Sequence, residues 1–268
     1  MRELERDLPA TTAAPAAPAE VASLTIVGTG RVGGTLARAA RAAGIEVALL
    51  GRGERPEPGM AEPAAVLLCV PDREVESACE RAASWGATYV GHTSGSLGLA
   101  ALASASSAGA EAFTLHPLQT IPSPESRIAG APCAISGASA GALETARTLA
   151  LAVGMRPFEV AEESRAAYHA AASIASNFLV ALEESAADLL ARAGVTDARG
   201  ILAPLVLRSA ANWSEHGAAA LTGPIARGDE ATVERHLAAL RDTAPELIDL
   251  YQALAERTRA IARAGDGR

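Results

Sequence analysis

The 268-residue sequence contains no lysine, and all 23 of its basic residues are arginine. A Schiff-base nucleophile and a lysine proton donor are therefore excluded from any chemistry the chain performs. Aromatic residues amount to 3%, so little side-chain volume is available, and Ala-rich helices must pack closely. Cysteine is scarce: Cys69, Cys79 and Cys133 are too few and too scattered for a disulfide framework or a paired-cysteine metal site. A reducing, cytoplasmic setting is the expectation. With no HExxH and no Asp/Glu cluster either, no catalytic metal is expected. Long apolar runs are also missing, because Arg, Glu or Gly interrupts every Ala-rich stretch before the ~18 residues a membrane span needs. The first 22 residues lack the positive start and unbroken apolar stretch of an export signal and read as a disordered extension. A net charge of −8 leaves no basic excess for nucleic acid or an anionic membrane.

What is present is a 49% hydrophobic chain arranged in two styles. From Ser23 to Val160, short apolar runs alternate with helical-period segments, the pattern of βα units on a mainly parallel sheet. Strands are expected at Leu24–Gly28, Glu46–Leu50, Ala65–Val70, Thr88–Gly91, Ala112–Leu115, Cys133–Ser136 and Pro157–Val160. Helices are expected near Arg31–Ala43, Asp72–Ser84, Ser96–Ser107 and Ser139–Val153, while Gly51–Pro63, rich in Pro, Gly and Glu, reads as a loop crossover. After Val160 the strand signal stops. A long helix is expected over Glu162–Ala193, a second from Asp197 to His216 kinked or restarted at Pro204, and two more at Asp229–Arg241 and Pro245–Ala264. The domains are thus 1–22, 23–160 and 161–268, an α/β doubly wound parallel sheet followed by an all-α C-terminal domain. The close-packed helices of that last domain suit completion by a second copy.

The first strand runs directly into Gly28-Thr29-Gly30-Arg31-Val32-Gly33, a G-x-G-x-x-G followed by a helix. A dinucleotide needs this construction: Gly28 for the tight turn, Gly30 for close approach of the pyrophosphate to the backbone, and Gly33 for packing of helix on strand. Where an NAD-binding chain offers an acid at the end of the second strand, this one has Gly51-Arg52-Gly53, with Arg55 close behind. A guanidinium there can hold a 2′-phosphate, which favours NADP(H). Arg52 can equally be a solvated loop residue beside Glu54 and Glu57.

Three more loops belong on the same rim of the sheet, where ligands bind in such folds: Val70-Pro71-Asp72, His92 to Ser96, and His116 to Thr120. Ser94 can donate to a nicotinamide or substrate oxygen, or it can cap the helix expected at Ser96. His92 can serve a ligand or bond its neighbours, whereas the following proline fixes an extended backbone at His116 that can aim its imidazole into the crevice. On the long helix, a step of 100° per residue gathers His169, Ser173, Ser176 and Asn177 into one polar stripe, which faces a ligand, solvent or another helix.

The segments VGTGRVGG (27–34), HTSG (92–95), TLHPLQT (114–120), AYHAAASIASNFLVAL (167–182) and LTGPIARGD (221–229) together resemble the bacterial proteins that join a Rossmann-like NADP-binding domain to a C-terminal domain of unknown function 2520. That resemblance implies a Rossmann-like fold and an NADP-dependent oxidoreductase of unestablished substrate. More distantly the layout is similar to pyrroline-5-carboxylate reductase, prephenate dehydrogenase and the β-hydroxyacid dehydrogenases, which implies a homodimer joined through the helical part. His116-Pro117 is similar to the His-Pro of prephenate dehydrogenases, and Asn177 matches an asparagine on the long helix of β-hydroxyacid dehydrogenases. The catalytic lysine of the latter, and of ketopantoate reductases, has no counterpart here.

Together these readings lead to hydride transfer to or from a small polar carbonyl or imine substrate held between the domains. His116 or His169 would manage the proton, Ser94 and Asn177 would orient the substrate and the nicotinamide, and Gly28 to Gly33, Arg52, Val70 and Pro71 would hold NADP(H). The alternatives are a non-catalytic dinucleotide-binding regulator and a reductase that uses a deazaflavin.

Overall fold

The computed structural model describes residues 21–57 and 63–266. The expected disordered extension lies, up to residue 20, outside the described residues. Each of the seven strands expected between Ser23 and Val160 is present: β1 Ser23–Val27, β2 Glu46–Leu50, β3 Ala65–Leu68, β4 Tyr89–His92, β5 Glu111–Pro117, β6 Pro132–Gly137 and β7 Arg156–Glu159. They make one sheet in the order β2-β1-β3-β4-β5-β6-β7. The chain leaves β1 through helix α1, Arg31–Ala42, to β2 on one side, then returns past β1 to β3 on the other. The reversal places a crevice at the carboxyl ends of β1 and β3. The connection between β2 and β3 carries no helix over its described residues.

The sheet is mainly parallel, as expected, with one reversal whose place the sequence does not mark. β6 pairs antiparallel with β5, and β7 runs parallel to β6, so the Rossmann-like sheet is mostly rather than wholly parallel. A buried apolar run has no sign of its direction; the reversal is made by residues 118–131, which bring the chain back without a crossover helix. This segment lies on α1: Thr35 Oγ1 donates to the carbonyls of Ser123 and Pro124 at 3.2 and 3.1 Å, and Arg38 donates to those of Glu125 and Ser126. A Cβ at Gly34 would stand 2.9 Å from Pro124, which explains the fourth glycine of VGTGRVGG.

The burial of β3 shows how the layers close. Ala65 and Leu67 join a core with α1 and α4, Ala140–Ala152, while Val66 and Leu68 join one with α2, Val75–Ala82, and α3, Ala103–Ser107. The helix expected from Ser96 begins later, as a 3-10 turn at Leu99–Leu102 before α3. Ser94 Oγ accepts from the N–H groups of Ser96 and Leu97 at 3.2 and 3.1 Å, a side-chain turn that competes with helix at those residues.

Beyond β7, a 3-10 turn Glu162–Ser164, helix α5 Arg165–Ser173, a π-helical turn Ile174–Phe178 and helix α6 Leu179–Arg192 occupy the span expected to be one α-helix. The π turn interrupts the uniform 100° step, so the four-residue stripe drawn with that step does not hold across Ile174. The chain divides into two compact units, Met1–Ser173 and Ile174–Arg268. In the second, α6 is followed by α7 Ala198–His216, α8 Glu230–Thr243 and α9 Ile248–Asp266. The helix does not restart at Pro204, since α7 runs through it over 19 residues; a proline inside a helix forfeits its own N–H bond. Asp197 and Asp229 cap α7 and α8 by accepting from Gly200 and Thr232 N–H. No helix among the described residues is long and apolar enough to cross a membrane.

Candidate functional site

The glycine loop is built as its spacing requires. Gly28 sits at φ +115°, and a Cβ there would meet the Cys69 carbonyl oxygen at 2.3 Å, so the turn from β1 passes hard against the end of β3. A Cβ at Gly33 would stand 1.9 Å from the Gly28 carbonyl oxygen, which locks helix to turn. Gly30 differs: a Cβ there would meet nothing within 4 Å. It is the N-cap of α1 without a side-chain cap, and the first turn holds no acid. The uncapped helix start therefore has open space at Gly30 beside exposed Thr29 and Arg31, and a helix start of this kind can receive a pyrophosphate. Val70, half-buried, and Pro71, exposed, extend the same rim from β3.

Arg52 leaves the end of β2 with its side chain 82% exposed and donates to Glu74 Oε1 at 2.7 Å. Glu54 accepts the Gly51 N–H and closes that turn. The guanidinium thus already holds a carboxylate partner.

On the β4 rim, His92 is fully buried. Its Nδ1 accepts from Ser94 N–H at 3.2 Å and its Nε2 lies 3.1 Å from the Gly98 carbonyl, so the ring is neutral with its hydrogen on Nε2. Burial holds its pKa below the usual range despite that bond. Ser94 Oγ caps the turn, and Ser96 Oγ donates to Asp72 at 2.6 Å. This loop supports its neighbours with its own polar groups.

The two remaining histidines come together. His116, on β5, and His169, on α5, pack edge to face with ring centroids 6.2 Å apart. A Cβ at Gly95 would stand 2.7 Å from His169 Nδ1 and 2.8 Å from His116 Nε2, so both nitrogens converge on the one residue small enough to admit them. His169 Nδ1 is buried with no hydrogen-bond partner among the described residues. Burial, then His169 and Arg165, hold His116 down to about 4. His116 also lines a cavity of about 450 Å³ with Arg31, Val32, Thr93, Gln119 and Thr120. The cavity therefore joins the start of α1 to an imidazole; His169 stands beside His116 without lining it.

Sequence reasoning missed the groups behind this pair. Tyr168 Oη lies 2.6 Å from His116 Nδ1. Arg165, 3% exposed, donates to Glu162 at 2.7 Å, Ser136 at 2.6 Å and Thr114 at 3.0 Å, tying α5 to β5 and β6. Burial alone would raise the Glu162 carboxyl, but the Leu99 N–H, Arg165 and Ser136 outweigh it and hold it low. The readable signal was Glu162 three residues before Arg165 in an Ala-rich segment, a spacing equally typical of exposed helix pairs. Ser173 closes the first unit, whereas Ser176 and Asn177 lie in the π turn that opens the second; exposed Asn177 accepts there from Ser176 Oγ at 3.2 Å.

A mostly parallel sheet that turns at a glycine loop, followed by a helical C-terminal region, defines the Rossmann-like class. Within that class, residues 131–258 match the family model described as a domain of unknown function (DUF2520), the family that the sequence motifs resemble. No curated protein matches the sequence. Among solved structures, the chain is similar to a protein from Thermotoga maritima at 21% identity and TM-score 0.73, over 91% of this chain and 99% of that one. It is similar to a candidate NADP oxidoreductase from Bacteroides fragilis at 20% identity and TM-score 0.71, over 90% and 99%. A Plasmodium falciparum pyrroline carboxylate reductase with NADP bound follows at 13% identity and TM-score 0.58, over 91% and 99%. At these identities the likeness shows the fold.

Proposed function

We propose that this protein is an NADP(H)-dependent oxidoreductase acting on a small polar carbonyl or imine. The observation that carries the reading is the cavity that runs from Arg31, at the uncapped start of α1, to His116. The open space at Gly30 fits a pyrophosphate, and the NADP bound to the structurally similar pyrroline carboxylate reductase supports the same cofactor here. When bound, the cofactor supplies or accepts the hydride at the substrate carbon. In the reducing direction the π pair of C=O or C=N passes to oxygen or nitrogen, and an imidazole of the pair supplies the proton that completes the hydroxyl or amine. The chain's task is to hold the substrate against His116 and manage that proton.

Titration of the pure protein with NADPH, NADH and a deazaflavin tests the reading. NADPH is expected to bind tightest; binding of the deazaflavin alone, or of none, would overturn it. With a substrate in hand, His116→Ala and His169→Ala should keep NADPH affinity, and the proton-transfer residue should lose about 10²–10⁴-fold in turnover. The other should mainly raise KM.

In this reading residues 23–160 hold the cofactor, and 161–268 serve substrate and dimer contacts. A homodimer through the helices is supported by α7, which has no buried residue, and by exposed Phe178, Val180, Leu205 and Trp213. Light scattering at twice the chain mass is the expected result, and a monomer at micromolar concentration would refute it. Three free cysteines suit a cytoplasmic site of action, to be checked by localising a tagged copy; secretion of that copy would refute it.

A further inference from the structure

The site holds two histidines, and the hydrogen bond behind one of them distinguishes their tasks. His116 Nδ1 and Tyr168 Oη are 2.6 Å apart, with the ring centroids at 5.6 Å and the planes at 85°. Tyr168 is steadied on another side by Phe158, at 6.0 Å between centroids. One hydrogen lies between a phenol and a ring nitrogen. The phenol is the stronger acid of the two N–H/O–H groups, and the imidazole nitrogen is by far the stronger base. The phenol is thus the better donor and the ring nitrogen the better acceptor, which favours O–H···N over N–H···O.

We propose that Tyr168 is a positioning residue: its hydroxyl donates to Nδ1 of His116 and fixes that ring as the tautomer with its hydrogen on Nε2, the nitrogen turned toward Gly95 and His169. With Nδ1 taken, Nε2 is the ring nitrogen left for a molecule in the cavity that His116 lines. His116 is then a fixed hydrogen-bond donor to a substrate oxygen or nitrogen, while His169, which does not line the cavity but has its unpartnered Nδ1 beside Gly95 with His116 Nε2, is left to exchange a proton with that ring rather than with the substrate. That division of labour rests on the oxidoreductase reading; the tautomer does not.

The surroundings agree. Tyr168 is held up to about 12, chiefly by burial, so the phenol keeps its hydrogen. His116 is held down to about 4 by burial, His169 and Arg165, against the opposing charge of Asp72, so the ring stays neutral at physiological pH. No other hydrogen bond to Nδ1 competes among the described residues. His92, fixed by Ser94 N–H and the Gly98 carbonyl, shows the same tautomer imposed by other means.

Nitrogen-detected NMR of the full-length, 15N-labelled protein without cofactor reads the tautomer directly, with His116→Gln identifying the signals. The wild type is expected to show Nδ1 of His116 with the shift of an acceptor nitrogen and Nε2 with that of an N–H. In Tyr168→Phe the two shifts should move toward each other as the tautomers mix, while those of His92 stay in place. A hydrogen found on Nδ1 in the wild type, or an unchanged tautomer in Tyr168→Phe, would overturn the proposal. Should Tyr168→Phe not fold, the wild-type spectrum alone decides. Neither measurement needs cofactor or turnover, so a failed tautomer and a failed oxidoreductase reading are told apart.

Discussion

Replacing Arg52 by aspartate should turn a protein that prefers NADPH into one that prefers NADH, and the structure sets the size of the change. A hydrogen bond from a charged group is worth about 1.5–3 kcal/mol. To reach a 2′-phosphate, Arg52 must leave Glu74, its partner at 2.7 Å, with side-chain exposures of 82% and 24%. Pairs this open contribute about 0–1 kcal/mol. The preference left over is about 0.5–3 kcal/mol, roughly two- to 150-fold. Aspartate at 52 removes the donor and adds a second carboxylate beside Glu74, repelling the phosphate while remaining able to accept from ribose hydroxyls. Glu74→Gln makes the complementary test: releasing Arg52 should tighten NADPH by up to about fivefold and leave NADH unchanged. Calorimetric titration at one fixed ionic strength is the assay, because exposed pairs are screened by salt. Equal affinities for the two cofactors in the wild type, or a preference unmoved by Arg52→Asp, would refute the reasoning.

Two glycines of the same loop should respond in opposite ways. Gly30→Val should abolish dinucleotide binding with a native melting profile, because its side chain enters open space that the pyrophosphate needs; unchanged NADPH affinity would show the loop serves packing alone. Gly33→Ala should lower stability by at least about 1–3 kcal/mol in denaturant unfolding, since its Cβ would fall 1.9 Å from the Gly28 carbonyl oxygen; a wild-type midpoint would refute that contact.

The sheet was legible because each strand is a short apolar run bounded by turn residues, and the crevice followed from Gly28, Gly30 and Gly33. The direction of β6 was not legible, since Pro132–Gly137 buries its apolar residues in either orientation. The π turn at Ile174–Phe178 left no mark in an Ala-rich helical pattern. His116 and His169 were picked out separately, one from a strand end and one from a helix face. Their partners were hidden for a common reason: Tyr168 meets His116 across 52 residues of chain, and Arg165 meets Thr114 across 51. A single sequence contains no record of such distant pairings unless spacing or charge betrays them. Ser94 was legible as an acceptor for nearby N–H groups and not as the turn it closes, because the same serine hydroxyl can cap a helix or close a side-chain turn.

The way residues 118–131 rest on α1 bears on how this scaffold can be re-engineered. Gln119 and Thr120 help to wall the cavity, so exchanging this segment is the natural route to a new substrate range. Yet the segment is not a detachable module. Pro124 needs the bare backbone of Gly34, and the carbonyls of Ser123 to Ser126 are held by Thr35 and Arg38. A chimera that imports the loop alone would leave those donors idle and place foreign side chains over α1. Loop and helix have to be transplanted together, with residues 34, 35 and 38 travelling as part of the graft.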